Sequence, residues 1–536
     1  MARKIQFGAW VMLAVSLIFL PVSGFAGNYY VRKSGGNDAN PGDGWGAGHA
    51  ISTIQVAIER AGLNPGADVI HVAAGTYFEN ITIGGNITLY GGYPSGGGTA
   101  RDLVLNQTII DGSGVGSVVT VSDVQDVVID GFVIQNGVEN GAGGGIYIES
   151  SSAVTIVKNQ IKNNTAHGDW GGGVAVVYSD VTLRNNVIQG NNTDQHGGGI
   201  SFFGGNDVKC SGYVIGNTIV NNEAYKGAGI KSANAQVFIM DNYIERNNAR
   251  GDGGGIALEA CSSASITGNT VSGNEAGYDG GGIFCTDSAA FYIGRNFISG
   301  NEAGNWGGGI CLIASSGDVV NNVISDNIAD ETGGGISHYD KASSRIINNT
   351  IVYNQGGDDT GGIECYNNSA ATVINSIVWA NLPNQLHYGD GSMLSVSFSD
   401  IQDGYTGTGN INKDPLFFSE NDYYLTAASP CIDSGTSANA ASTDIQEVSR
   451  PRKSGYDMGA YEFVKRGFAA DFGANGVYLF DGSVWTGITG WNPENIVGWG
   501  TRLFADFGAN GLYLFDGKSW KGLCGWNAES IAVSRH

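Results

Sequence analysis

Nine positions, one per copy of an internal repeat, carry most of the side chains that could do chemistry in the middle of this 536-residue chain. They are Ala142, Trp170, His196, Lys226, Asp252, Asp279, Trp306, Thr332 and Asp359, each four residues ahead of the Ile or Val that closes a glycine-rich tetrad. Their neighbours hardly vary, whereas this position differs on almost every copy. Two indoles bracketing a His, a Lys and two Asp match the makeup of a saccharide site, in which apolar platforms flank a few polar contacts. Trp170, His196, Lys226, Asp252, Asp279 and Trp306 are therefore the candidate ligand-binding residues. If the copies stack ~4.8 Å apart, Trp170 and Trp306 stand about 24 Å from one another, the reach of several sugar rings. Asp252 and Asp279 side by side would raise one pKa or hold a cation. A solvated turn face, on which any side chain fits, would show the same variety.

Other chemistry is thinner. Glu223, Glu275 and Glu302 each follow the last Asn of their unit, and a line of them could bind calcium. Calcium wants roughly six to eight converging oxygens, so separate solvated carboxylates explain the line equally simply. No other cofactor is indicated, and no catalytic residue is marked. The glycine runs are not phosphate-cradling loops, because no Lys-Ser/Thr follows and no helical pattern comes next. Seven Cys include no C-x-x-C or His/Cys metal spacing. Cys285 and Cys365 lie three repeats apart, too far for a disulfide with its ~7 Å Cα limit, and read as buried thiols.

The elements that position these residues follow from the repeat itself. GGGI at residues 143–146 recurs as GGGV, GGGI, GAGI, four further GGGI and TGGI, closing at Val174, Ile200, Ile230, Ile256, Ile283, Ile310, Ile336 and Ile363. Successive gaps are 28, 26, 30, 26, 27, 27, 26 and 27 residues. Between the tetrads runs N-x-I-x-x-N, first as Asn159, Ile161 and Asn164, with copies starting at Asn186, Asn217, Asn242, Asn269, Asn296, Asn322 and Asn349. Apolar residues alternate within each unit, the period-2 sign of strands with one buried face. A unit of this size cannot bury that face alone, but stacked copies can, as a coil of parallel strands. Gly supplies tight turns, and Asn at a fixed turn position can form a ladder with the Asn above and below.

With these motifs the unit resembles the GGAI-type repeats of the chlamydial polymorphic outer-membrane proteins, and more broadly right-handed parallel β-helices of the pectate-lyase type. The expected fold is all-β, a right-handed parallel β-helix with a helical N-terminal cap. Residues 27–100 resemble the cap and first coils of secreted β-helix proteins, with an amphipathic helix over residues 51–61 covering the open apolar end. The repeat region occupies residues 101–369. Over residues 370–464, Asn375-Ser-Ile377-Val-Trp379, Asn412-Lys-Asp414-Pro415, Ser429-Pro430-Cys431-Ile432-Asp433 and Asp457-Met-Gly459-Ala-Tyr461-Glu462 resemble the choice-of-anchor Q ending of secreted bacterial β-helix proteins. That resemblance implies terminal coils followed by a surface-sorting or tail segment.

Residues 465–536 differ again. Asp471-Phe-Gly473-Ala-Asn475-Gly476 returns as Asp506-Phe-Gly508-Ala-Asn510-Gly511, and Trp485 and Trp491 return as Trp520 and Trp526, all shifted by 35. Asp481-Gly482 and Asp516-Gly517 read as hairpin turns. The pair resembles Trp-rich, tectonin-like β-repeats, whose Trp serve as core filler or as sugar-stacking faces.

Composition excludes several partners. With 27 Lys+Arg against 50 Asp+Glu, the net charge is −23, which opposes nucleic acid and anionic membranes. Residues 1–26 read as a signal peptide, with Arg3 and Lys4 ahead of an apolar run and small residues at the cleavage site. No transmembrane segment is expected after its removal, and the chain is expected to be secreted, on the cell surface or in the periplasm. The partner implied is an extracellular glycan or cell-surface component. The favoured function is a glycan-binding or adhesin-like protein. The alternative is a polysaccharide lyase, hydrolase or epimerase using a groove along the coil. For a galacturonase-like hydrolase, Asn192-Thr193-Asp194 and Asp358-Asp359 echo two of four required elements. They lie six repeats apart, and no G-H-G or R-I-K follows. An enzyme is not favoured.

Overall fold

The computed structural model describes residues 26–63, 66–205, 210–419, 422–452, 454–464, 468–471, 475–480, 485–491, 493–499, 502–515 and 520–524. Residues 1–25 of the expected leader, the dipeptides Asp481-Gly482 and Asp516-Gly517, and Trp526 lie outside the described residues.

One rung shows how the sequence builds the coil. Four short strands, Ile256–Glu259, Ala264–Thr267, Thr270–Ser272 and Glu275–Ala276, follow one another with Gly, Asn or Ser at the corners. Each pairs in parallel with the matching strand of the rungs on either side. Repetition generates four parallel sheets of 12, 14, 13 and 9 strands in that order around the coil. In the 12-stranded sheet the tetrad residues stand in one register, Ile146, Val174, Ile200, Ile230, Ile256, Ile283, Ile310, Ile336 and Ile363. All nine are fully buried, and a single apolar core runs from Val31 to Ile401. Cys285 and Cys365 sit in that core as free thiols, as their positions implied.

Both Asn of the motif form ladders along the coil. In one, Asn159, Asn186, Asn217, Asn242, Asn269, Asn296, Asn322 and Asn349 follow in order. From Asn186 onward each Oδ1 accepts from both the backbone N–H and the side-chain amide of the Asn one rung earlier, as Asn269 does at 2.9 Å from Asn242. The amide also donates to core-strand carbonyls, Asn269 Nδ2 reaching Ile239 O at 2.9 Å. The second ladder runs from Asn164 to Asn381 by the same scheme. Buried corners thereby keep their polar groups paired. The tetrad glycines are sterically required: a Cβ on Gly255 would stand 2.6 Å from Gly282 O on the next rung.

The cap helix spans Ile54–Ala61 and lays Ile54, Ala57, Ile58 and Ala61 over the open end of the core. It begins three residues later than the pattern suggests. Asp38 Oδ1 accepts from the backbone and hydroxyl groups of Ser52 and Thr53, holding them extended. The first free helix N–H groups, Ile54 and Gln55, instead donate to the Glu79 carboxylate.

Coiling continues to Ile401. The described residues between 402 and 464 then cross the end and fold back along the outside. Their Tyr423, Ile445, Ala460 and Tyr461 pack on Val323 and Val352, while Leu425, Cys431 and Met458 pack on Ile377. Arg450, fully buried, donates to Glu462, to the Asp457 and Gly459 carbonyls and toward Asn321 of the coil. These residues, expected to hold terminal coils and a sorting or tail segment, form a strap along the coil.

Beyond it, antiparallel sheets of three and four strands repeat the same hairpin with the same register irregularity, between Val477 and Tyr478 and between Leu512 and Tyr513. Val477, Leu503 and Phe515 form one core across both copies, with Trp520 packed against it. Trp520 is therefore a core filler, while Trp491 is exposed.

Candidate functional site

The outer face of the 12-stranded sheet is where the chemistry gathers. Alternation along each tetrad strand sends the Ile inward and the next residue outward, giving Ser201, Lys231, Ala257, Phe284, Cys311, Ser337 and Glu364 in register. These outward positions are nevertheless buried. The tetrad's first glycine adopts a left-handed conformation, φ +70 at Gly253 and +68 at Gly280, which curls the preceding residue over the sheet.

That preceding residue is the predicted column. From Ala142 to Thr332 it stacks continuously, the first tetrad N–H of each rung donating to the carbonyl of the next column residue, as Gly227 does to Asp252 and Gly280 to Trp306. Trp170, His196, Lys226, Asp252, Asp279 and Trp306 thus stand in one line, half-buried or buried, unlike a solvated turn face. Asp359 departs from it. Thr360 replaces the left-handed glycine, Gly333 N–H donates to Thr360 O instead, and Asp359 turns out to solvent.

Both indoles cross the sheet in the same way. Trp170 reaches Phe203 at 4.6 Å between ring centroids, and Trp306 reaches Tyr339 at 4.4 Å, each partner standing on the following rung at the far side of the strand. Trp170 also packs on His196 at 4.9 Å. Trp306 Nε1 donates to Glu331 at 2.8 Å, and Tyr339 stacks on the exposed Tyr366. The two indoles therefore form aromatic crossbars, Trp170 tilted 40° against Phe203 and Trp306 stacked at 28° on Tyr339.

Charged groups occupy the interval. Lys226 Nζ pairs with Asp252 at 2.7 Å and hangs over the Phe284 ring. Burial works against the Lys226 ammonium, but the Asp252 carboxylate holds its pKa above the ordinary value. Lys231, fully buried, pairs with Glu259 at 2.6 Å, and desolvation pushes its pKa down. Burial and the nearby Lys231 charge likewise push the His196 pKa down. His196 Nδ1 and Ser201 Oγ, on the same rung, are buried without a hydrogen-bond partner. Buried polar atoms of that kind call for a water or a ligand.

Asp279 is raised to about 6, by burial first and by Asp252 second. Lys226 Nζ, 2.7 Å from Asp252, is a cation already beside this pair. Because the folded carboxyl holds its proton to higher pH than the unfolded one, stability falls as pH rises from about 4 to about 6. Asp279→Asn is expected to raise stability at pH 7.5 by about 1–3 kcal/mol. The gain should vanish near pH 4, as read from urea denaturation at both pH values.

Glu223, Glu275 and Glu302 do align in the 9-stranded sheet, with Asn248 between the first two, but all three are exposed and converge on nothing described. Lys231, Glu259, Phe203 and Tyr339 were not singled out from the sequence. Strand alternation after the tetrad Ile was the signal that could have found them. Two cavities lie away from this face, one of about 440 Å³ between the 14-stranded sheet and the strap, lined by Tyr292, Arg295, Asp318 and Arg345, and one of about 660 Å³ at the end of the coil beside Tyr388 and Tyr405. Among the described residues, no helix is long and apolar enough to cross a membrane.

Comparison with known proteins bears on the fold. The family described as "Right handed beta helix region" matches residues 118–319 and 278–401, together more than half of the chain. Probable pectinesterase A of Aspergillus niger is 39% identical over 118 residues, which are 21% of this chain and 34% of that protein, so the match spans about a third of its length. Among solved structures, XylC in complex with xylose is 10% identical, with 82% of this chain and 99% of that one covered at a TM-score of 0.44. Pectate lyase Pel9A is 14% identical, with 82% and 98% covered at a TM-score of 0.30.

Proposed function

Because the chain belongs to the right-handed β-helix family, whose match reaches from residue 118 to 401, we propose that its 12-stranded face binds an extracellular saccharide chain along the rungs. The observation that carries this reading is the pair of aromatic crossbars, Trp170–Phe203 and Trp306–Tyr339, on either side of the Lys226–Asp252 and Lys231–Glu259 pairs. Sugar rings offer apolar C–H groups to aromatic faces and hydroxyls to paired charges, which both donate and accept. The unpartnered His196 Nδ1 and Ser201 Oγ add polar atoms for the same ligand. Export through the leader and surface retention through the choice-of-anchor Q-like residues 370–464 belong to this proposal, as an adhesin-like protein displayed outside the cell.

A second reading is favoured by Asp279 and Lys231. A buried carboxyl near pKa 6 beside another carboxylate, and a buried amine, are the kind of groups that polysaccharide-active enzymes use as acid and base. The stretch shared with a probable pectinesterase points to the same substrate class.

One experiment separates the two. The purified chain is incubated with pectin, alginate and neutral glycans, and both retention and products are measured. Retention without new reducing ends, unsaturated uronate or released acid supports binding, and product formation supports the enzyme. Trp170→Ala combined with Trp306→Ala is expected to weaken glycan retention at least tenfold. Unchanged retention in that double variant would remove the strip from the binding surface.

A further inference from the structure

We propose that Asp359, Glu364 and His387 form a binding site for a divalent transition-metal ion, Zn²⁺ by preference, at the C-terminal end of the same sheet face. Each residue offers one ligand atom, and the three atoms lie within 4.8 Å of one another. They come from separate features of the fold. Glu364 and His387 are register partners on neighbouring strands of the 12-stranded sheet, Ile363–Cys365 and Leu386–Tyr388, both facing outward. Asp359 reaches the same spot because the missing left-handed glycine at Thr360 throws its turn out of the column.

The site is built rather than incidental. Glu364 is only 2% exposed, yet its carboxylate is aimed by Thr332, whose hydroxyl donates to it at 3.2 Å. His387 Nδ1 stands 3.0 and 3.1 Å from the two Glu364 oxygens. Asn384 Nδ2 donates to the Asp359 carbonyl at 2.6 Å and fixes that turn. Ligands bound at ~2.0–2.2 Å around a tetrahedral or octahedral ion lie roughly 3.0–3.5 Å from each other, the separation His387 and Glu364 already have. The exposed Asp359 side chain needs a rotamer change to close the third edge. Two carboxylates converging beside one imidazole leave negative charge on a buried group, and a cation relieves it.

The imidazole selects the metal. Calcium and magnesium take oxygen ligands, whereas one nitrogen and two carboxylate oxygens suit zinc and its neighbours. Three protein ligands leave a position open on the side where His387 and Asp359 meet solvent. This inference does not depend on the saccharide reading.

The test uses the full chain without a polyhistidine tag, stripped with chelator and titrated with Zn²⁺ and, separately, Co²⁺. One Zn²⁺ per chain is expected, together with visible d–d absorption from Co²⁺ that Zn²⁺ abolishes, and millimolar Ca²⁺ should not compete. Asp359→Asn, an exposed change that leaves the fold intact, and His387→Ala should each weaken Zn²⁺ binding at least about tenfold. Circular dichroism checks that both variants keep the coil. Absence of stoichiometric binding, or affinity unchanged in Asp359→Asn, overturns the site.

Discussion

Replacing Asn269 by Ala is expected to destabilise the coil by about 2–5 kcal/mol, since each buried group left unpaired costs about 1–3 kcal/mol. The Asn242 backbone N–H loses its acceptor at 2.9 Å, and the Ile239 carbonyl loses its donor. Neither can turn to water, because both ladder Asn are buried. In a solenoid each rung contacts its neighbours alone, so the damage should stay local in the first instance. Urea denaturation gives the magnitude. Hydrogen exchange should show protection falling across residues 240–297 before the rest of the coil. Asn192→Ala, at an exposed position outside the ladders, should stay within about 0.5 kcal/mol. Equal effects at the two positions would mean that the ladders add nothing beyond strand pairing.

Loss of the Arg450 side chain should release the strap, at an expected cost of about 3–5 kcal/mol for an uncompensated buried charge. Its guanidinium ties Glu462, the Asp457 and Gly459 carbonyls and Asn321 together in the interior between strap and coil. Arg450→Met is expected to open residues 402–464 to limited proteolysis while the coil keeps its β-sheet circular dichroism. Combining it with Glu462→Gln should cost less than Arg450→Met alone, because the stranded carboxylate is then gone. Proteolysis spread evenly over coil and strap would show that the strap is integral to the coil's folding instead.

The vertical order of the site could be read from spacing because parallel, in-register stacking converts a constant offset in the chain into a line in space. Trp170 through Trp306 follow that rule on every rung. Asp359 breaks it for a reason that was visible: TGGI lacks the first glycine, and Thr360 cannot supply its left-handed turn. What the spacing left undetermined was direction. An offset does not say whether a turn residue points to solvent or folds across the neighbouring strand. Trp306 could therefore be placed on its rung without Tyr339 being recognised as its partner. The three groups of the proposed metal site were likewise scattered across 29 residues of sequence with no motif to join them.

The sequence by itself determined the rung, the buried isoleucine line and the asparagine corners, because each recurs at a fixed interval and depends on contacts with its own copies. The tertiary structure alone decided the rest. The crossbars, the Lys231–Glu259 pair, the meeting of Asp359, Glu364 and His387, and the strap over Val323 and Ile377 all join unlike segments. Such contacts depend on side-chain direction and chain path, which no repeat encodes.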